Sequence, residues 1–303
     1  LSLEKIYNKK KNNFKILFLK NRTHQSLENY LIKKFTKKHV ISFSNSYFGQ
    51  INLILTAYFY NIFFKVEELY IGTIAQRCLF LIFNFLLTKR KIILSDGTDS
   101  ISFYWSGKRF LELHGNNKKK INLLSIFNLN KKFCNNFKIN LQYFSDQKEL
   151  VNDSLLILGG RYMTYKKTNE IFSILKQIID YHKNNYGINN FYYKPHPYEL
   201  ESPILKKIFE EFKFLILYRE SDKLPIEIDY KNSKKFPKFV TSDNLIPTTS
   251  FFTLTQINNS IISNIIEVQE NKFINDGYFK EYKDIVNYIY SFKNKNFNFV
   301  KIL

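Results

Sequence analysis

The sequence has few cysteines, which excludes a fold held together by disulfides or structural zinc. Cys78 and Cys134 are the only two in 303 residues, and their spacing fits neither kind of site. We therefore expect a reducing compartment and a cytoplasmic location. No secretory signal is visible. The chain starts at Leu1 and its single methionine is Met163, so we expect that the native start has been trimmed.

The sequence also lacks an apolar run long enough to span a bilayer. Its apolar runs INLILTAYFYNIFF (51–64) and CLFLIFNFLL (78–87) are shorter than the roughly 20 residues that a membrane-spanning helix needs. We predict that both form buried helices, with a peripheral membrane contact as the alternative.

Acidic residues are in short supply, since 26 Asp and Glu face 46 Lys and Arg, a net charge of +20. Such a surface attracts nucleic acid, acidic glycans, nucleotides or anionic lipid, and charge alone does not distinguish these partners. Lysine-rich stretches such as KKKNN are also typical of solvated loops. The 45% hydrophobic content indicates a globular protein with substantial cores.

Strand and helix patterns alternate through the first half. The buried strand FKILFLK (14–20) precedes the amphipathic helix SLENYLIKKFTK, and the same order recurs in three further units. These units are HVISFS before the 51–64 helix, ELYIG before a helix from Thr73 to Leu87, and KIILSDG ending in a polar turn. We expect a parallel sheet covered on both faces, followed by an irregular stretch from 107 to 150.

The second half repeats the plan. Strands are predicted in SLLILGG (154–160), NFYYKPHP, KFLILY and KFVTS, and helices in TNEIFSILKQIIDYHKNN and SPILKKIFEEF. We place the domain boundary near 150, which gives domains 1–150 and 151–303 with a cleft between them. The predicted fold class is α/β. Ligands of such sheets bind beyond the carboxyl ends of the strands, so the polar turns after the strands are the candidate sites.

The first such turn is ILSDGTDS. A strand delivers Asp96 beside Gly97, which permits a close backbone approach, and the carboxylate can act as a general base on an attacking hydroxyl. The alternative is that SDG is only a turn signal.

The second turn is YYKPHP. Pro195 and Pro197 restrict the backbone around His196 and aim its imidazole at the strand end. A protonated imidazole, with Lys194 as a second donor, suits a departing phosphate. The alternative is that His196 is an ordinary turn residue without a functional role.

The third turn is KLPIEIDY (223–230). A carboxylate here can hold a ribose diol, and Glu227 and Asp229 also have the spacing of an acidic metal-binding pair. The alternative, which the residues alone favour, is a pair of solvent-facing carboxylates on an edge strand.

The fourth turn is NLIPTTSFFTLTQ (244–256). Thr248, Thr249 and Ser250 precede an apolar helix, and hydroxyls with free amides at a helix N-terminus form an anion site. Ordinary helix capping is the alternative and accounts for one of the three hydroxyls.

In this order and spacing, the four turns resemble the motifs of bacterial sialyltransferases with a two-domain GT-B fold. That group includes the lipooligosaccharide sialyltransferases and the capsule polysialyltransferases. The resemblance spans roughly residues 14 to 260. SDG matches the last two positions of the group's acidic-acidic-Gly motif, with Ser95 at the first, and its His-Pro motif matches His196 and Pro197.

The resemblance implies a GT-B fold of two Rossmann-like domains across a central cleft, and a role for each matched residue. Asp96 is the implied catalytic base, His196 the donor-phosphate contact and acid, and Lys194 a cytosine contact. Glu227 would hold the ribose. The implied phosphate-binding or donor-side residues are Thr248, Thr249, Ser250, Gly159 and Gly160.

The implied reaction is inverting transfer of sialic acid from CMP-sialic acid to a lipooligosaccharide or polysialic acid acceptor. No metal or other cofactor is implied, and the sequence has no Asp-x-Asp motif to hold a nucleotide-bound metal. Asn21, Arg22 and His24 follow the first strand and are expected on the acceptor side, a plain polar loop being the alternative. The last helix is expected to pack back on the first domain.

Two further interpretations stay open from the sequence. Another transferase with a cytidine-nucleotide donor, such as a Kdo or CDP-glycerol transferase, would also carry a Lys-x-His-Pro turn. A basic nucleic-acid-binding protein would use the 21 Tyr and 31 Phe for base stacking, although core packing accounts better for most of them. The charge also suits an acidic acceptor or the anionic inner leaflet of the membrane.

Overall fold

The computed structural model of the chain divides into two compact units, unit 1 (Leu1–Asn140) and unit 2 (Leu141–Leu303). The structure describes residues 14–20, 25–72, 77–94, 121–125, 134–138, 148–159, 168–196, 199–200, 202–218, 226–242, 254–255, 257–267, 288 and 297–301. Both units combine helices with parallel strands, which confirms the predicted α/β class.

Unit 1 alternates strands and helices up to its fourth strand. Its elements are β1 (Ile16–Lys20), α1 (Gln25–Phe35), β2 (Val40–Ser44), α2 (Tyr47–Phe64), β3 (Glu68–Ile71), α3 (Arg77–Phe85), β4 (Arg90–Leu94), β5 (Ile121–Ser125) and β6 (Cys134–Lys138). Among the described residues, β1 pairs with β2, and β3 to β6 form a sheet in chain order, all parallel.

The two strands β5 and β6 lie in the stretch predicted to be irregular, so that prediction is wrong for them. Their sequences are INLLS and CNNFK, and each is flanked by lysines and asparagines. CNNFK has no alternation of apolar and polar residues. Because no local sequence pattern indicates a strand here, the strand conformation of β6 depends on its pairing with β5.

Helix α2 packs against β1 and β2 by one side only. Ser46 caps its first turn by accepting the Gly49 backbone N–H at 3.2 Å, and Lys65 ends it in the left-handed conformation. The buried positions are Gly49, Leu53 and Ala57, which are four residues apart and therefore share one side.

The outer sides of α2 and α3 are exposed, so the prediction of two buried helices is wrong for those sides. In α3, Cys78 and Ile82 are buried whereas Leu81 and Phe85 face outward. Among the described helices, none combines the length and the apolar character needed to cross a bilayer.

Unit 2 contains the larger sheet. Its elements are β7 (Glu149–Leu158), α4 (Thr168–Tyr186), β8 (Asn190–Lys194), α5 (Pro203–Glu211), β9 (Ile216–Leu217), α6 (Ile226–Asn232), β10 (Lys235–Ser242), β11 (Ile262–Glu267) and β12 (Phe297–Lys301). Within the described part of this unit, six parallel strands lie in the order β12-β11-β10-β7-β8-β9.

This strand order is that of a doubly wound, Rossmann-type sheet. The chain adds β8 and β9 on one side of β7, then crosses over and adds β10, β11 and β12 on the other side. The order reverses between β7 and β10, and sheets of this kind bind ligands at that switch point, beyond the carboxyl ends of the strands.

The core of unit 2 forms around β7. Its second half, Ser154 to Leu158, is buried at every position, as expected for a strand covered on both faces. Helix α4 packs against it through Ile171, Leu175 and Ile178, which recur at helical spacing. Each fully buried side chain of this size contributes roughly 1.5 to 3 kcal/mol.

A buried polar chain connects α4 with β11 and β12. The His182 Nδ1 lies 2.7 Å from the Ile178 carbonyl oxygen, and its Nε2 lies 2.7 Å from Asn264 Nδ2. Asn298 donates to Asn264 Oδ1 at 3.1 Å. Burial lowers the pKa of His182 to about 4, so the ring is neutral at pH 7, with Nδ1 donating and Nε2 accepting.

We predict that substituting His182 by Gln removes a specific part of the pH dependence of stability. Because the folded-state pKa lies below the ordinary value of about 6.5, the unfolded chain binds more protons between pH 6.5 and 4. The contribution of His182 to the free energy of unfolding is therefore fully present above pH 6.5 and is lost as the pH falls from 6.5 to 4.

Urea unfolding of both proteins, followed by circular dichroism, measures this effect. The advantage of the parent protein over His182→Gln should shrink by on the order of 2 to 3 kcal/mol between about pH 7.5 and 4.5. Other titrating groups are common to both proteins and cancel in the comparison. A difference independent of pH would contradict a neutral, buried imidazole.

Candidate functional site

The candidate site lies where β7, β8 and β10 end at the carboxyl edge of the unit 2 sheet. Gly159 follows β7, and its backbone N–H donates to the Lys194 carbonyl at 2.8 Å. Ser242 ends β10 and donates its hydroxyl to the Leu158 carbonyl at 3.2 Å. Hydrogen bonds therefore hold the ends of these three strands together at the switch point.

The turn after β8 is held in place by Glu199, a residue that the sequence analysis did not select. Its Oε2 accepts the His196 backbone N–H at 2.8 Å, and its own N–H donates to the His196 carbonyl at 2.7 Å. The Tyr193 hydroxyl lies 3.2 Å from both carboxyl oxygens. This reciprocal pair closes a four-residue turn and fixes the backbone of His196.

The Glu199 carboxyl is fully buried, which determines its charge. Burial raises its pKa to about 8, while the hydrogen bonds from the His196 backbone and Tyr193 act in the opposite direction with smaller effect. The raised pKa favours the protonated carboxyl, which would not repel an anion bound at the same strand ends.

A sequence signal for Glu199 does exist. In HPYE an acid stands three residues after His196, the spacing at which a side chain reaches back to a backbone N–H in a helical capping box. The same spacing closes the turn here. The burial of Glu199, in contrast, depends on packing between the strand ends.

Lys194 is joined to Asp229 of α6. The distance from Lys194 Nζ to Asp229 Oδ2 is 2.5 Å, and the two side chains are 10% and 0% exposed. The Asp229 side chain is fully buried, and the Ser233 hydroxyl donates to the Asp229 backbone carbonyl at 2.5 Å. The ion pair therefore attaches α6 to the end of β8.

The placement of Glu227 and Asp229 on an edge strand is wrong, because both lie in helix α6. Ile226, Asp229 and Tyr230 are buried at the i, i+3, i+4 positions of a helix, whereas Glu227 is partly exposed. An alternation of only four residues fits both periods, so the local pattern could not decide between strand and helix.

The structure brings Gly159, Lys194 and His196 together at the strand ends and places Glu227 on α6. The His196 side chain is partly exposed there. The other predicted site residues lie outside the described residues: Asn21, Arg22, His24, Asp96, Gly160, Pro197, Thr248, Thr249 and Ser250. Within the described ranges, no cluster of three His, Cys, Asp or Glu side chains could hold a metal ion.

No protein-family model matches the chain, and no curated protein matches it. Among solved structures it is similar to a glycosyltransferase from Rickettsia africae ESF-5, with a TM-score of 0.47, 10% identity and coverage of 92% of this chain and 89% of that one. It is also similar to S. aureus MnaA in its co-structure with UDP, with a TM-score of 0.39, 11% identity and 90% coverage of each chain. Neither likeness by itself assigns a function to this chain.

We predict that Gly159→Ala disrupts the turn after β8. A Cβ on Gly159 would overlap with Oε2 of Glu199 and lie 2.8 Å from the Tyr193 hydroxyl and 2.9 Å from the His196 backbone N. The backbone atom cannot move aside easily, so the variant should lose about 1 to 3 kcal/mol of unfolding free energy. Urea denaturation measures this loss.

Gly72→Ala is the matched control, because a Cβ there meets nothing within 4 Å. Its free energy of unfolding should change far less than that of Gly159→Ala. Equal effects of the two substitutions would show that the Glu199 carboxyl does not fill the space beside Gly159.

We also predict that removing one partner of the Lys194–Asp229 ion pair destabilises the protein more than replacing both partners by apolar residues. Lys194→Met leaves a buried carboxylate without its ammonium and should destabilise the protein by about 3 to 5 kcal/mol. Lys194→Met combined with Asp229→Leu removes both charges and should recover much of that loss. Urea unfolding of the two single variants and the double variant gives the coupling energy, and additive losses would contradict the pairing.

Proposed function

We propose that the chain is an inverting glycosyltransferase that transfers sialic acid from CMP-sialic acid to a cell-surface glycan. Unit 2 would bind the donor, and unit 1 would carry the catalytic base. The acceptor would be a lipooligosaccharide or a growing polysialic acid chain, as the resemblance of the four turns implies.

One observation carries the proposal: a Lys-Pro-His turn follows β8, the neighbour of β7, at the carboxyl edge of a doubly wound sheet and one strand from the switch point. Nucleotides bind along this edge in sheets of that strand order. The partly exposed His196 there is suitable for phosphate recognition, whereas Lys194 is paired with Asp229 and Glu199 fills the space beside Gly159. The motif and the strand order are independent of each other, so their coincidence supports a nucleotide donor.

The Glu199 turn supports the role of His196. Because the His196 backbone is held by two hydrogen bonds, the imidazole starts from a fixed point and loses little freedom when it binds a phosphate. The raised pKa of Glu199 lessens the negative charge beside the proposed donor. The ion pair of Lys194 with Asp229 adds no net charge to this edge.

The proposed reaction is a single displacement. Asp96 accepts the proton of the acceptor hydroxyl, whose oxygen forms a bond to the anomeric carbon of sialic acid. The bond from that carbon to the CMP phosphate oxygen breaks, and its electron pair leaves with CMP. His196, with Thr248, Thr249 and Ser250, would stabilise the charge that develops on the phosphate. Glu227 would hold the ribose, and Asn21, Arg22 and His24 would face the acceptor.

We predict that the purified chain releases CMP from CMP-sialic acid in the presence of a suitable acceptor, measured against a panel of sialylated and non-sialylated glycans. His196→Ala and Asp96→Asn should each lower turnover by about a hundredfold or more, because each removes a group that acts in the transition state. Glu210→Gln, the same carboxylate-to-amide change on the exposed side of α5, is the control and should keep full turnover.

Full turnover in both site variants would contradict the proposed site even if the chain were active. Release of CMP from CMP-Kdo, or transfer from CDP-glycerol, without turnover of CMP-sialic acid would favour the runner-up donors. Loss of all turnover on addition of EDTA would contradict a metal-independent reaction.

A further inference from the structure

The helices α2 and α3 contact each other, and both expose apolar side chains, which together are here named the outer face. It includes Phe48, Leu55, Phe59 and Phe63 of α2 and Leu81 and Phe85 of α3. Phe48 is 76% exposed, Phe63 66% and Phe85 62%, values unusual for aromatic side chains in a water-soluble domain. A group of exposed large apolar side chains is typical of an interaction site.

The outer face follows directly from the helix geometry. Positions 48, 55, 59 and 63 recur at intervals of seven and four, so they lie along one side of α2, away from the buried Gly49, Leu53 and Ala57. Helix α2 contacts β1, β2 and α3. Its buried positions anchor it to the unit and leave the other side exposed.

Charge determines which partner the outer face fits. The 18 residues of α2 contain no Asp, Glu, Lys or Arg. The unit around it is strongly basic: unit 1 has 24 Lys and Arg against 7 Asp and Glu, a net charge of +17, whereas unit 2 has 22 against 19, a net charge of +3. Nearly all the excess positive charge of the chain thus belongs to the unit that carries the outer face.

Basic side chains stand close to the ends of the two helices. Lys65 follows α2 and is exposed, and the Lys15 ammonium lies 6.0 Å from the ring centre of Tyr60. Arg90 and Lys91 follow α3, and Lys91 donates to the Phe83 carbonyl at 2.6 Å. Glu67 and Glu68 balance part of this charge by pairing with Lys89 and Arg90.

We propose that the outer face docks on an anionic bilayer surface. Aromatic and aliphatic side chains of such a face enter the boundary between headgroups and acyl chains, while basic side chains contact the anionic headgroups. A second copy of the chain fits less well, because it would bring a second unit of net charge +17 against the first. The inference concerns unit 1 alone and does not depend on the donor that unit 2 binds.

The test is flotation of the full chain with two kinds of vesicle, phosphatidylcholine alone and phosphatidylcholine with about 30% phosphatidylglycerol. We expect the chain to float with the anionic vesicles and much less with the neutral ones, and the binding to weaken as salt is raised. Equal binding to both vesicles, or binding to neither, would overturn the proposal.

Variants of the outer face assign the binding to these helices. Phe59→Ser with Phe63→Ser should lower the partition coefficient by about tenfold or more, because two exposed aromatic side chains no longer enter the lipid. Phe59→Leu with Phe63→Leu keeps the surface apolar and should retain most of the binding. Phe214→Ser with Ile216→Ser is the matched control in unit 2, where both side chains are also exposed.

A second measurement does not depend on loss of binding. In Phe63→Trp, the indole should shift its emission to the blue on addition of anionic vesicles and be quenched by brominated lipid. An indole that stays in water while the chain floats would show that another surface binds. The outer face would instead be the contact with a second copy if two results were found together. The parent chain would form a particle of twice its mass without floating with vesicles, and the serine variant would be monomeric.

Discussion

The hydrogen-bonded contact between the buried Glu199 carboxyl and the backbone of His196 is the constraint on which the candidate site depends. It closes the turn after β8, fills the space beside Gly159 and brings the Tyr193 hydroxyl into the same cluster. Removing the carboxyl from water disfavours its charged form, and burial accordingly raises its pKa. The carboxyl accepts the backbone N–H that positions the turn.

Two other buried polar contacts have the same character in unit 2. The Lys194–Asp229 pair connects β8 to α6, and the His182–Asn264 contact connects α4 to β11. Each provides hydrogen-bond partners for polar groups that are buried away from water, and each joins elements far apart in the chain. The apolar core supplies most of the burial, whereas these polar contacts determine where the helices and strand ends stand relative to one another.

The two units differ in what their surfaces offer. Unit 2 has a net charge of only +3, and the Glu199 turn and the Lys194–Asp229 pair lie at the end of its strand β8. Unit 1 combines most of the net charge with exposed apolar side chains of two helices. The proposed donor site and the proposed membrane contact each rest on one of these units.

The sequence by itself determined the α/β class, the alternation up to β4, most strands of unit 2 and the position of the Lys194–His196 turn at a strand end, because continuous apolar runs and proline-bounded turns are local signals. It did not reveal β6, whose conformation depends on pairing with β5, nor the helix at Glu227 and Asp229, whose four alternating residues fit either period. Only the tertiary structure decided that Glu199 is buried, that Lys194 pairs with Asp229, and that α2 is covered on one side alone. Those properties depend on neighbours distant in the chain, and burial and charge are set by such neighbours rather than by residue type.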